Sequence, residues 1–243
     1  MNYTNTLIIT GAGISVDSGI QPFRGKDGVW EESPMIMATY NKFYTDPLCF
    51  LSWYYNRFKS CLNAEPNETH KILATQNIKV ITQNVDGLHR KANHNPENLI
   101  EIHGCLNEKR IVSATQRSEI VNANWNNVDD SKLKESLFEL FRIPKNGIIN
   151  EINSFRPHVL LFDEIYSDLY EIEKALKWVL ESEIIIFMGT SNSVGITQGI
   201  LEMSLLKKKQ IIVVDPEPDE SFKNFDIKII KEKSTDFCKK YLK

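Results

Sequence analysis

Short apolar runs, separated by polar stretches of helix length, set the rhythm of this chain. Residues 7–9 (LII) make the first such run, short enough for a buried strand. Gly11 and Gly13 follow at once, and a helix is expected to begin at Ile14 and Ser15. Further strands are expected at residues 79–82, 99–103, 158–162, 183–189 and 210–215, each rich in Val, Ile, Leu or Phe. Between them lie helix patterns. Residues 41–62 carry Phe43, Tyr44, Phe50, Trp53, Tyr54, Tyr55 and Phe58 and read as helix starting near Asp46 and Pro47, with Pro at a tolerated early position. A second helix opens after Asn67, a plausible N-cap; His70 on it reads as structural. Residues 166–180 and the charged C-terminal segment complete the helices. This alternation predicts an α/β fold with a doubly wound, parallel, Rossmann-like sheet.

Residues 104–155 break the rhythm. They are polar and rich in Asn, with one amphipathic helix from about Asp130, whose apolar stripe is Leu133, Leu137, Phe138, Leu140 and Phe141. The expected organisation is a Rossmann-like domain from residues 1–35, 75–104 and 156–243. Residues 36–74 and 105–155 form small helical insertions.

Composition narrows the picture. The chain has 243 residues and a net charge of −3. That balance argues against nucleic acid as the main partner, which needs a basic excess. The basic clusters at 207–209 and at Lys231 with Lys233 read as solvated faces. No basic N-terminal region precedes the first apolar run, and no run approaches a membrane span, so a cytoplasmic protein without membrane contact is expected. Cys49, Cys61, Cys105 and Cys238 are scattered and include no C-x-x-C pair, which predicts neither a zinc site nor a disulfide framework.

The candidate chemistry lies at strand ends, where open α/β sheets bind ligands. A strand, a tight glycine turn and a helix start make a phosphate cradle, although Gly19 is off the G-x-G-x-x-G spacing. After residue 82 come Gln83, Asn84 and Asp86. Asn84 and Asp86 stand at i and i+2 and face one side of an extended segment. Asn84 suits a carboxamide, Asp86 a ribose; an Asn/Asp turn capping its own backbone is the other reading. His103 ends a strand, and an imidazole there suits proton removal from a hydroxyl. Gly189, Thr190 and Ser191 end another, where they can hold phosphate or ribose oxygens or cap a helix. Asp215 ends the last strand, where a carboxylate can accept from ribose or adenine.

Taken in order, GAGIS (11–15), SGI (18–20), FRG (23–25), DGVW (27–30), TQNVDGLH (82–89), HG (103–104) and GTS (189–191) resemble the sirtuins, the NAD-dependent protein deacylases. The resemblance covers nearly the whole chain and implies NAD as cofactor and an acyl-lysine protein or peptide as substrate. It implies that the acyl oxygen attacks C1′ of the nicotinamide ribose and nicotinamide leaves. His103 then acts as base for a ribose hydroxyl, giving free lysine and O-acyl-ADP-ribose. Asn84 and Asp86 join His103 as catalytic residues. Gly11, Ala12, Gly13 and Ser15 would contact the cofactor, with Phe23 and Arg24 in a loop over it. Gln83, Gly189, Thr190, Ser191 and Asp215 would complete that contact. Val159, Phe162, Asp163 and Glu164 would meet the peptide. Tyr54 and Arg57 have the Tyr-x-x-Arg spacing of sirtuins that remove acidic acyl groups such as succinyl. A core tyrosine beside a surface arginine is the other reading.

Three departures stand out. The interval that holds two cysteine pairs in most sirtuins contains only Cys105, so no zinc is expected and the helix at 130–141 supplies packing instead. Asp163 stands where sirtuins usually have Gly. The usual Pro is missing from 193–197. These departures keep open a sirtuin-fold NAD hydrolase or ADP-ribosyltransferase, and, more remotely, a non-catalytic NAD sensor. A monomer is expected.

Overall fold

A computed structural model describes residues 5–21, 34–192 and 195–243. Phe23 and Arg24 lie outside the described residues. The strands are β1 (Thr6–Thr10), β2 (Lys79–Thr82), β3 (Leu99–Glu101), β4 (Gly104–Ile111), β5 (Ile120–Asn122), β6 (Phe155–Val159), β7 (Ile184–Met188), β8 (Gln210–Val214) and β9 (Lys228–Ile230). The helices are α1 (Pro34–Met37), α2 (Tyr40–Thr45), α3 (Pro47–Leu62), α4 (Glu68–Thr75), α5 (Leu88–Lys91), α6 (Leu133–Leu140), α7 (Ile172–Glu181), α8 (Gly195–Leu206) and α9 (Ser234–Tyr241).

Six strands form one parallel sheet in the order β3-β2-β1-β7-β8-β9. β1 is central, with Ile8 paired to Val80 on one side and Ile186 on the other. Alternate residues of each strand feed opposite faces. Leu7, Ile9, Ile185 and Phe187 pack with Trp178 and Val179 of α7 and Ile200 and Leu201 of α8. Ile8, Val80, Ile186 and Ile212 pack with Leu73 of α4 and Phe237 of α9. Helices on both faces make the sheet doubly wound. The strand order reverses between β1 and β7, and ligands of open α/β sheets bind at the carboxyl edge beside such a switch point.

A second sheet is antiparallel, in the order β5-β4-β6, and its core is shared with α2, α3 and α6. The stretch 104–155 is therefore not only helical. It supplies two strands as well as α6. The run at 158–162, expected in the main sheet, belongs here too, because β6 pairs with β4. The strand expected at 99–103 stops at Glu101, and Gly104 already starts β4.

The helix expected to start near Asp46 and Pro47 does so as α3, capped by the Asp46 carboxylate, which accepts from the Cys49 amide; the short α2 precedes it. Pro47 disfavours helical geometry in the residue before it. The helix after Gly11 is a 3-10 helix, Ala12–Ser18, closed by left-handed Gly19. β9, flanked by charged residues, joins the sheet edge without an apolar run to announce it. Asn67 caps α4 as expected. Among the described residues, no helix is long and apolar enough to cross a membrane.

Candidate active site

The loop after β1 is pressed against the loop after β7. The Gly13 amide donates to the Gly189 carbonyl at 2.8 Å, and the Gly11 amide donates to the Met188 carbonyl at 3.2 Å. A Cβ on Gly13 would lie 2.7 Å from Gly189 Cα, and one on Gly189 would lie 2.6 Å from the Ile14 nitrogen. Gly189 also has φ of 59°, a conformation that glycine adopts without strain. Backbone approach between loops thus explains these glycines. It also corrects the cradle in one respect: the Gly13 amide is taken by Gly189, and the Ile14 amide by the Gly11 carbonyl at 3.2 Å. From the other side, Asn67 Nδ2 donates to the Ile14 carbonyl at 2.7 Å and to Ser18 Oγ at 3.0 Å, fixing the 3-10 turn.

β2 delivers the next residues to the same edge. Asn84 Nδ2 donates to the Gly11 carbonyl at 3.0 Å and to Ser15 Oγ at 3.1 Å. Ser15 Oγ donates to Asp86 Oδ2 at 2.7 Å. Asn84 and Asp86 therefore meet on one side, as their spacing requires. Burial pushes the Asp86 carboxyl up, opposed by the Leu88 amide, the Ser15 hydroxyl and the Arg57 guanidinium. Gln83 points the other way. Its Nε2 donates to Thr190 Oγ1 at 2.8 Å and to Thr197 Oγ1 at 3.0 Å, joining the β2 and β7 loops.

His103 lies in the turn between β3 and β4, partly buried. Its Nδ1 is 3.0 Å from the Gln83 carbonyl oxygen and its Nε2 is 2.7 Å from the Tyr166 hydroxyl. Burial pushes the imidazole down to about 4, with the Gln83 carbonyl acting weakly against it, so the ring is neutral at pH 7.

The remaining candidates divide. Ser191 follows Thr190 at the β7 end, and Asp215 sits just after β8, where its Oδ1 accepts from the Glu217 amide at 2.8 Å and burial pushes its carboxyl up. Arg57 lines a small cavity with Ala12, Ser15, Asn84 and Asp86. Tyr54 does not line it. It is 2% exposed, packed against Phe50 and Trp53, with Arg156, Tyr170 and Glu164 as the charged and polar groups around its phenol. The two do not form one clamp in this structure. Val159 is a core residue of β6. Glu164 is occupied internally, accepting from Arg156 Nη2 at 2.6 and 2.7 Å and from the Leu161 amide at 3.0 Å. Asp163 is exposed, and its carboxylate accepts from the Tyr40 and Asn41 amides at the start of α2, at 2.7 and 3.2 Å. Phe162 is 60% exposed, and its amide donates to the Ala38 carbonyl.

Sequence reasoning missed Tyr166 and Thr197, since no motif or period marks either, and it left Asn67 as a cap only. A larger cavity, about 360 Å³, is lined by Arg90, Glu101, Glu108, His158, Glu171 and Lys174. It contains none of the strand-end amides and hydroxyls, and ion pairs such as Arg90–Glu108 and Lys174–Glu171 bound it. The strand-end cluster, not the larger cavity, has the groups that ligand chemistry needs. Among the described residues, no set of three or more His, Cys, Asp or Glu side chains is arranged to hold a metal ion.

Comparison with known proteins places this geometry in a family. Residues 11–195 match the model of the Sir2 family. An Aquifex aeolicus protein named NAD-dependent protein deacylase is 32% identical over 255 aligned positions, covering 99% of this chain and 95% of that protein. A Dictyostelium discoideum protein named NAD-dependent deacetylase sir2E is 35% identical over 84% of this chain, and the match spans 64% of that longer protein. Among solved structures, a Sir2 homologue in complex with NAD covers 98% of this chain and 87% of its own, at 28% identity and a TM-score of 0.77. The chain belongs to the Sir2 family.

Proposed function

We propose that the protein is an NAD-dependent protein-lysine deacylase that yields free lysine, nicotinamide and O-acyl-ADP-ribose. One observation carries the reading: Ser15, Asn84, Asp86, Gln83 and Thr190 converge at the carboxyl edge of β1, β2 and β7, beside a neutral histidine with a fixed ring. A set of amides, hydroxyls and one carboxylate fits a carboxamide and ribose hydroxyls. When bound, NAD supplies the electrophilic ribose carbon. Gly11, Ala12, Gly13 and Ser15 would lie against it. Asn84 and Asp86 would orient its nicotinamide half, and Thr190, Ser191 and Asp215 its adenosine half. His103 would serve as the base for the acceptor hydroxyl.

The peptide side is supported by an exposed apolar surface. Phe162 and Ile165 are exposed, as are Met35 and Ile36, and the Phe162 amide bonds to Ala38 next to them. This surface suits the side chain and backbone of an acyl-lysine peptide. Among the described residues, Arg57 lines the cavity beside Asp86 and offers a cation to an acidic acyl group, so succinyl-lysine joins acetyl-lysine as a proposed substrate. The hydrolase reading gains nothing from Asp163, whose carboxylate is engaged by α2. All four cysteines are free and three are buried, which supports a reducing, cytoplasmic setting; a monomeric state is part of the same proposal.

The test is product analysis by mass spectrometry with NAD alone, with acetyl-lysine peptide and with succinyl-lysine peptide. O-acyl-ADP-ribose formed only with peptide is expected. ADP-ribose formed equally without peptide would replace the deacylase by an NAD hydrolase. In the same assay, His103→Ala is expected to lose deacylation by roughly 10²–10⁴-fold while still binding NAD. A rate unchanged by that substitution would remove His103 as the base.

A further inference from the structure

We propose that Tyr166 relays the proton between the acceptor hydroxyl of the substrate and His103 Nε2. The inference rests on the deacylase reading, with His103 as its base. It starts from tautomer. The partner of Nδ1 is a backbone carbonyl, which only accepts, so Nδ1 carries the ring proton. The lone pair of the neutral ring is then on Nε2. At 2.7 Å from it lies the Tyr166 hydroxyl, which must be the donor. Burial pushes the phenol up, so it keeps its proton at neutral pH.

The lone pair that a general base uses is thus already filled. A substrate hydroxyl reaches His103 either by displacing the phenol or through it. Displacement is opposed by packing. The Tyr166 ring leans on the core cluster between the sheet, α7 and α8, and lies 5.9 Å from the imidazole, tilted by 32°. The route through it needs no movement of the ring. The phenol oxygen donates one hydrogen and retains lone pairs to accept another.

The transfer balances. The O–H bond of the substrate hydroxyl breaks and its proton goes to the Tyr166 oxygen. The proton already on Tyr166 goes to His103 Nε2. The hydroxyl becomes an alkoxide, the imidazole an imidazolium and the phenol is neutral again. The Gln83 carbonyl, held at Nδ1, favours the imidazolium so formed.

Tyr166→Phe keeps the ring and removes the relay. In the protein without ligands, the ¹⁵N resonance of His103 Nε2 is expected to move downfield, while Nδ1 stays protonated. An identical Nε2 resonance in the two proteins would overturn the hydrogen bond and the relay with it. In single turnover with NAD and acetyl-lysine peptide, nicotinamide release is expected to stay within about twofold, while free-lysine formation falls at least about tenfold. Free-lysine formation that is unchanged, or faster, would show that the phenol only occupies the lone pair. If the parent protein itself forms no free lysine, the deacylase reading falls and takes the relay with it. Tyr166→3,5-difluorotyrosine covers the case in which Tyr166→Phe does not fold, because it keeps the ring and a more acidic hydroxyl. Its rate–pH profile is expected to shift to lower pH, and an unmoved profile would count against the relay.

Discussion

The two sheets bury polar side chains by opposite chemistries. At the carboxyl edge of the parallel sheet the buried groups are mostly neutral: Asn84, Ser15, Thr190 and Thr197, tied by amide and hydroxyl bonds. In the antiparallel sheet they are charged. Arg110 of β4 and Arg156 of β6 stand directly opposite each other, almost fully buried, and Glu164 bridges both. Like charges across a strand pair repel, and an unpaired buried charge costs far more than an unpaired amide. A neutral site can therefore exchange its internal bonds for those of a ligand. The ionic cluster cannot, and it makes the small sheet a fixed base for the segment 160–165.

The sharpest way to break this contrast is Glu164→Gln, which leaves two arginines facing each other without an anion. A loss of about 3–5 kcal/mol in urea unfolding is expected. A loss under about 1 kcal/mol would mean that the cluster is solvated and the contrast false.

Acid should separate the regions next. Behind the neutral site, His70, His89 and His94 stack edge to face, with ring centroids 4.9 and 5.7 Å apart, all buried. Burial pushes His70 down to about 4 and lowers His89 and His94. The unfolded chain binds these protons near pH 6.5 and the native protein only lower, so stability present above pH 6.5 is lost as pH falls toward 4. Glu101, which burial pushes up to about 7 against the pull of Arg90, works in the opposite sense as pH falls from 7. A comparison of His70→Asn with the parent isolates the histidine. The parent should lose about 3 kcal/mol more than the variant between pH 7 and 4. Parallel stability profiles would refute the assignment.

Gly13→Ala probes the loop contact of the neutral region. Its Cβ meets Gly189 Cα at 2.7 Å, so a loss of about 1–3 kcal/mol and weaker NAD binding by calorimetry are expected. Normal binding at parental stability would show that the loops part freely. The smallest effect concerns Arg57→Met. It should lower the succinyl-to-acetyl activity ratio by about threefold to tenfold, the scale of one partly solvated charge contact. Equal losses on both peptides would end the acidic-acyl proposal.

What could be read from sequence followed the same division. β2, β7 and β8 are β-branched runs that only a buried parallel strand needs, and the spacing of Asn84 and Asp86 foretold their meeting at Ser15. The antiparallel sheet was hidden. β4 contains Asn107, Glu108, Lys109 and Arg110, which read as surface, and nothing local reveals that Arg110 is buried by a partner 54 residues away. Tyr166 stands at the start of the helix expected over 166–180, but α7 begins only at Ile172 and leaves Tyr166 in a loop, where its role depends on a contact across 63 residues. The helix after Gly11 is legible but its 3-10 pitch is not, because glycine spacing shows a turn and not its pitch.

The contact between the β1 and β7 loops has a consequence for synthesis on the ribosome. The central strand emerges first, yet its second neighbour follows about 180 residues later. At roughly 5–20 residues per second, β1 waits on the order of ten to forty seconds with an apolar edge unpaired. During that interval LIIT is an open template for strand pairing with other chains. Production of this protein should therefore respond more to slowed translation and to holding chaperones than its finished, well-covered sheet would suggest.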